Sequence, residues 1–283
     1  MNIENHHKRV VASNFSGSRQ FWKTIYDPRQ ETIDTCYSVD MIKRKKAVFS
    51  MLEKYANGSS LFILDVGCGP GVFMEDALRQ GHHVIGMDLS EAMVVEARNL
   101  TVQNYRNKSA ALRGDSEFLP FKSCSFDAVL CIGVLSYLDR DAPSLREIGR
   151  VLKKNGLVIL GLPNWLRLPL FLDPYYYLNR FVVVVAKKFS RKRKDGPRPA
   201  KLEGYRRYLR WRLRALFTKS GLSMLRSSSI GFGPITFWKR EIVASRYSIS
   251  LSEKLESISN RRLFFFLTAF ANHWVICLKK ANS

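Results

Sequence analysis

Between residues 39 and 56 the segment VDMIKRKKAVFSMLEKYA sets Val39, Ile42, Ala47, Met51 and Tyr55 among lysines, a spacing that predicts an amphipathic helix stopped by Asn57-Gly58. Beyond it, short apolar runs alternate with helical periods. LFILDV (61–66), HVIGMD (83–88), AALRGD (110–115), FDAVLCI (126–132) and LVILGLP (157–163) read as strands. DLSEAM opens a helix that Ser90 can cap, and DAPSLREIGRVLK (141–153) repeats Leu145, Ile148, Val151 and Leu152 at helical intervals before an Asn155-Gly156 turn. Strands and helices in this order predict an α/β, Rossmann-like, doubly wound fold with a mostly parallel sheet.

The rhythm breaks at residue 164. LRLPLFLDPYYYLNRFVVVVA and then KKFSRKRKDGPRPAK show no single period across 164–204, which marks an insertion after the fifth strand. A helix is expected over 204–221, a strand near LSMLRSSS, and a closing strand at HWVICLKK (273–280). The expected organisation is an N-terminal helical cap (1–60), a core (61–163), an apolar and basic insertion (164–204) acting as lid or surface-binding element, and the C-terminal part of the sheet (205–283).

Composition narrows the setting. At 283 residues and 46% apolar the chain is long enough for a proper core, and a net charge of +22 points to an anionic partner: nucleic acid, an acidic leaflet or an acidic carrier. Five cysteines with no CxxC pair argue against a disulfide framework or a zinc site, and no metal is expected. With no apolar run at the start, the expectation is a cytoplasmic protein, peripheral at the inner face of a membrane if the basic block meets lipid. Leu263 to Leu278 gives 16 apolar-rich residues. As a helix that is about 24 Å, short of a ~30 Å hydrocarbon core. Trp165 to Ala186 is interrupted by Arg167, Asp173 and Arg180, so neither stretch is expected to span.

LDVGCGPGVF (64–73) places Gly67, Gly69 and Gly71 at a strand-to-helix turn, where glycine lets the backbone approach a ligand. A dinucleotide fingerprint needs a glycine or alanine at position 72, which is Val72, so the pattern is G-x-G-x-G. A tight structural turn is the plain alternative. Asp88 ends the second strand, where a carboxylate accepts ribose hydroxyls, and GDSEFLPF supplies Asp115 after the third, suited to an adenine amino group.

With LDVGCGPG, DLSEAM, GDSEFLPF, FD and RVLKKNG in order, residues 61–163 resemble class I S-adenosylmethionine-dependent methyltransferases of the small-molecule type. The resemblance implies a seven-stranded sheet and S-adenosyl-L-methionine as cofactor. By it, Asp65, Gly67, Cys68, Gly69 and Gly71 surround the methionine part and Asp88 holds the ribose. Leu89 and Met93 pack near the adenine, Asp115 and Ser116 read its amino edge, and Ile132 and Gly133 line the floor. Asn155 stands where the family often has proline, and Tyr137 where several branches have a histidine.

Methyl transfer from a sulfonium is an in-line displacement, so alignment and exclusion of water matter more than a dedicated base. If the acceptor is a hydroxyl, Tyr137 is the candidate to take or position its proton, with Asp139, Asn164 and His273 behind it. The plainer reading of Tyr137 is a packed aromatic on the cofactor floor. His82 and His83 are expected to be solvated, and Cys68 has no nearby base to make it a nucleophile.

From Lys187 to Arg214 there are thirteen Lys or Arg against Asp195 and Glu203. The insertion leaves the carboxyl end of the sheet, where ligands bind, so it should border the acceptor pocket. Six cations at Lys187 to Lys194 supply at most about 6 kcal/mol at an anionic leaflet. The expected activity is therefore O-methylation of a hydrophobic, lipid-like or lipid-linked small molecule, with a small amphipathic acceptor and an anionic membrane surface as partners. Nucleic acid is less favoured, because Tyr205, Tyr208, Leu209, Leu213 and Phe217 have the spacing of a helix packed on the sheet. An RNA methyltransferase, an enzyme for a soluble or carrier-tethered intermediate, and a methyltransferase-like adaptor stay open, as do a solvated face for the basic block and simple core packing for the apolar half.

Overall fold

The computed structural model describes residues 6–26, 35–168, 172–176, 178, 206–238, 240–259 and 262–281. The basic run Lys187–Lys194, and most of the apolar stretch before it, lie outside these residues.

Two N-terminal helices, α1 (His6–Gly17) and α2 (Arg19–Thr24), precede the lysine-rich helix α3 (Cys36–Ala56). Thr35 caps α3 by accepting from the Ser38 amide, and Asn57 ends it in the left-handed region at φ 46°. The core then alternates: β1 (Phe62–Val66), α4 (Val72–Arg79), β2 (His83–Asp88), α5 (Glu91–Tyr105), β3 (Ser109–Arg113), β4 (Phe126–Ile132), α6 (Asp141–Val151) and β5 (Leu152–Pro163). After the insertion come α7 (Arg210–Lys219), β6 (Leu222–Ile230), a two-stranded hairpin β7 (Thr236–Phe237) and β8 (Arg240–Glu241), α8 (Ser245–Ser259), a 3-10 segment (Arg262–Phe270) and β9 (His273–Lys280).

Seven strands form one sheet in the order β3-β2-β1-β4-β5-β9-β6. The first five are parallel, and β9 runs antiparallel between β5 and β6, pairing Pro163 with His273 and Ile230 with His273 at one end. Strand order reverses between β1 and β4, which opens a crevice at their carboxyl ends. One face buries Ile63, Val84, Ala128 and Ile159 under α3, α4 and α5, and the other buries Leu64, Val129, Val158 and Trp274 under α6 and α7. Strands buried on both faces explain why these runs are continuously apolar rather than alternating.

Several features differ from expectation. β5 starts at Leu152, because Lys153 to Asn155 stay extended and exposed and the register shifts between Phe126 and Ala128; Asn155-Gly156 is part of a bulged strand rather than a turn. Gly156 is needed there, since a Cβ would stand 3.0 Å from the Asp127 carbonyl oxygen. The helix expected from 204 begins at Arg210, because Tyr208 instead makes a strand-like bridge to Asn164. His82 is buried, 4% exposed, with its Nδ1 accepting from the Leu61 amide, which corrects the expectation of a solvated pair; His83 is exposed.

Among the described residues, no helix is long and apolar enough to cross a membrane.

Candidate active site

The glycine turn after β1 is held by paired backbone bonds: the amides of Gly67 and Cys68 both donate to the Met87 carbonyl, at 2.6 and 3.1 Å. Gly67 has φ +71°, and a Cβ on it would sit 2.1 Å from Val134 Cγ2. Gly71, the residue before α4, lies against Ala97 of α5, where a Cβ would come 3.0 Å from the Ala97 Cα. At Gly69, by contrast, a Cβ meets nothing within 4 Å, so this glycine faces open space in the cleft.

Asp88, at the end of β2, reaches across to this turn. Its Oδ2 accepts from the Gly69 amide at 2.9 Å and its Oδ1 from the Ser90 amide at 2.8 Å. Burial raises its pKa above the ordinary carboxylate value, against the pull of those amides. Asp65, at the end of β1, is 2% exposed, and its Oδ2 has no hydrogen-bond partner among the described residues. Burial, with the Asp88 charge second, pushes the Asp65 carboxyl up to about 7. A buried carboxylate oxygen without a donor is costly unless a ligand supplies one, and an ammonium group fits that requirement.

One cleft at the switch point brings together Asp65, Gly67, Cys68, Gly69, Asp88, Leu89, Met93, Asp115, Ser116, Ile132, Gly133 and Tyr137. Of the residues that the resemblance assigns to the cofactor, Gly71 alone does not line this cleft. Cys68 is buried and its thiol is pushed well above the usual range by burial and then by Asp65 and Asp88, which removes it as a nucleophile. Asp115 is already engaged, its Oδ2 2.6 Å from the Lys8 ammonium and its Oδ1 accepting from the Glu117 amide at 3.0 Å. The Ser116 hydroxyl pairs with Ser144 of α6 at 2.9 Å. Tyr137 packs edge-on against Phe15, ring centres 4.9 Å apart, as a floor aromatic would.

Of the lesser candidates, Asn164 is spent on structure: its side-chain amide donates to the carbonyls of Ala269 and Ala271, both at 2.6 Å. Asp139 and His273 both line the cleft. No group of three or more His, Cys, Asp or Glu among the described residues is placed to hold a metal.

Comparison with known proteins agrees with this geometry. Residues 64–160 match a family model described as a methyltransferase domain. The magnesium protoporphyrin IX methyltransferase of Synechocystis, solved with bound S-adenosylhomocysteine, superposes with a TM-score of 0.62 at 18% identity, over 97% of this chain and 100% of that one. The core of this chain is similar to a methyltransferase domain, and its fold is that of the class I methyltransferases.

Sequence relatives match part of this chain. The malonyl-[acyl-carrier protein] O-methyltransferase of Erwinia pyrifoliae is 37% identical over 112 residues, 39% of this chain and 40% of that enzyme. The ubiquinone biosynthesis O-methyltransferase of Xylella fastidiosa is 27% identical over 146 residues, 52% of this chain and 58% of that one. The chain thus spans less than two thirds of the length of these relatives.

Outside the matched core, the structure adds cleft residues that the sequence did not single out. His7, Lys8, Val11 and Phe15 of α1, Trp22 of α2, and Arg44 of α3 all line the same cleft. Arg44 was hidden in the run IKRKK, where nothing distinguishes it from solvated lysines; the structure buries it to 6% and bonds its Nη2 to the Tyr26 hydroxyl. Helix α1 buries no residue, so it left no apolar face to detect.

Proposed function

We propose that the chain transfers a methyl group from S-adenosylmethionine to an oxygen of a hydrophobic small-molecule acceptor. The observation that carries this is the partnerless Oδ2 of buried Asp65 beside the open face of Gly69 and the carboxylate of Asp88, all in one cleft at the switch point. The cofactor supplies an electrophilic methyl on a sulfonium. Asp65 receives its ammonium group, and Asp88, positioned by the Gly69 and Ser90 amides, accepts from the ribose hydroxyls. Leu89 and Met93 give the adenine an apolar wall, Asp115 and Ser116 stand at its amino edge, and Ile132 and Gly133 form the floor. Tyr137, with Phe15 against it, positions the acceptor and excludes water rather than acting as a strong base.

The insertion 164–204 works as lid or surface-binding element in this reading. Its first residues and the chain just after it meet at the cleft: the Trp165 amide donates to the Tyr208 carbonyl at 3.0 Å, Arg167 lines the cleft, and the Arg206 amide donates to the Ser136 carbonyl at 2.7 Å. Support for a lipid-side acceptor comes from the near surface. Buried Asp173 accepts from Thr236 Oγ1 and the Trp238 amide, both at 2.8 Å, which ties the insertion to the β7–β8 hairpin. Leu172, Leu178, Phe237, Trp238 and Ile242, all between 48% and 61% exposed, are apolar groups of this region. With the +22 charge they suit an anionic membrane surface.

The test is transfer of labelled methyl from S-adenosylmethionine by the full chain, offered a membrane lipid extract and, separately, total RNA and the soluble small-molecule fraction. Label in the organic phase sustains the reading. Label confined to RNA, or to soluble acceptors, overturns its lipid part, and failure to bind the cofactor by calorimetry overturns it entirely and leaves a binding adaptor.

A further inference from the structure

The inner end of the cleft, beyond Gly133, carries basic groups that the cofactor does not account for. Arg44 comes from α3 and is 6% exposed, and a Cβ built on Gly133 would lie 3.9 Å from its Nη1, so the guanidinium stands over the floor at the end of β4. It is held there by the Tyr26 hydroxyl, with the guanidinium carbon 5.4 Å from the Tyr26 ring centre. Arg167 enters from the loop after β5, and His273 from the first residue of β9, paired in register with Pro163. His273 is 8% exposed, and its Nδ1 has no hydrogen-bond partner among the described residues. Three separate segments thus converge on one small region of the cleft wall.

Resting on the methyl-transfer reading above, we propose that the acceptor is a carboxylic acid, whose carboxylate seats at Arg44 and Arg167 beside His273 and is itself the group methylated. A buried guanidinium with a half-buried one near it is a poor surface for a neutral alcohol and a good one for a planar anion, which guanidinium forks engage with paired, charge-assisted bonds. The neighbouring groups also disfavour acceptors that must lose a proton. Burial, then Arg44, then Arg167 pull the His273 imidazole down to about 3, so it is neutral and a weak proton acceptor at working pH. An acid arrives already ionised. One carboxylate oxygen attacks the methyl carbon, the carbon–sulfur bond breaks with its pair going to sulfur, and the products are a neutral methyl ester and a neutral thioether. No proton is exchanged, so the step asks nothing of the neutral His273 imidazole.

The experiment uses the full chain and calorimetry with octanoate and octanol as a matched acid and alcohol, in the presence and absence of S-adenosylhomocysteine. Octanoate is expected to bind at least about tenfold more tightly than octanol, with the preference lost in Arg167→Met and partly regained in Arg167→Lys. Arg44→Met is checked by circular dichroism, because it also gives up the Tyr26 contact; Arg167→Met keeps that contact. Equal binding of acid and alcohol, or a preference that survives in both methionine variants, overturns the proposal. A second readout treats the product made from a lipid extract and labelled cofactor with mild alkali: label released as methanol supports an ester, and alkali-stable label overturns it. S-Adenosylhomocysteine affinity, measured in the same titrations, reports separately on the methyl-transfer reading.

Discussion

The Lys8 ammonium lies 2.6 Å from Asp115 Oδ2 and 2.9 Å from Glu117 Oε2, joining the first helix to the loop after β3 across the mouth of the cleft. All three side chains are at most 14% exposed, so this is a shielded contact and not a solvated surface pair. Burial alone would lower the Lys8 pKa, but the bonds to Asp115 and Glu117 outweigh it and hold the group above its ordinary value.

Because α1 buries no residue of its own, its place over the cleft depends on a few such contacts, with Ser16 Oγ to Ser90 Oγ at 2.8 Å another. Lys8→Ala is expected to speed amide exchange across residues 6–17 and to weaken cofactor retention by about tenfold, while exchange in the strands stays as it was. Unchanged exchange in α1 would show that the helix is held by other means.

Asp88→Ala removes the carboxylate proposed to accept from the ribose and also releases the Gly69 and Ser90 amides. Cofactor affinity is expected to fall by about a hundredfold or more with the far-ultraviolet spectrum retained, two charge-assisted bonds being worth roughly 3 kcal/mol or more together. Calorimetry showing native affinity would remove Asp88 from the ribose.

Asp65→Asn separates binding from stability. With its folded pKa raised to about 7, the Asp65 carboxyl binds its proton more tightly when folded. Its contribution to stability is therefore full below the unfolded value near 4 and is lost as pH rises through about 7. The cofactor-free Asn variant should unfold at a higher temperature than the native chain at pH 8, lose that advantage at pH 4, and bind cofactor poorly at both. Thermal scans at the two pH values, with and without cofactor, check the sign.

Gly67→Ala puts a methyl group into Val134 Cγ2 at a backbone φ of +71°. The expected loss is about 2–4 kcal/mol by urea unfolding, combining overpacking and left-handed strain. Adding Val134→Ala should return part of it, since the clash is relieved and the backbone strain is not. A double variant no better than Gly67→Ala would place the whole cost in the backbone.

The methyltransferase core was legible because its strands are buried on both faces and its turns carry their own chemistry. HVIGMD, FDAVLCI and HWVICLKK are the strands β2, β4 and β9 residue for residue, and Ser90 caps α5 as its position suggested. Helices α1 and α8 were not legible, for a shared physical reason: they dock largely through polar groups. Helix α8 buries Ser248, Ser252 and Ser259, and Ser252 Oγ accepts from the Phe232 amide at 2.9 Å, so no apolar stripe announces it. Arg44 and Lys8 read as surface cations in the sequence and acquire their place from Tyr26 and from Asp115, residues 18 and 107 positions away.

Strand β9 fills the slot between β5 and β6 although it follows both in the chain. Until the ribosome has released residues 273–280, β5 and β6 each present an unpaired edge, and the wall that carries His273 does not exist. A nascent chain can therefore close the half of the sheet that carries the glycine turn early, but gains the wall at His273 last, after the longest-range pairing in the sheet has formed.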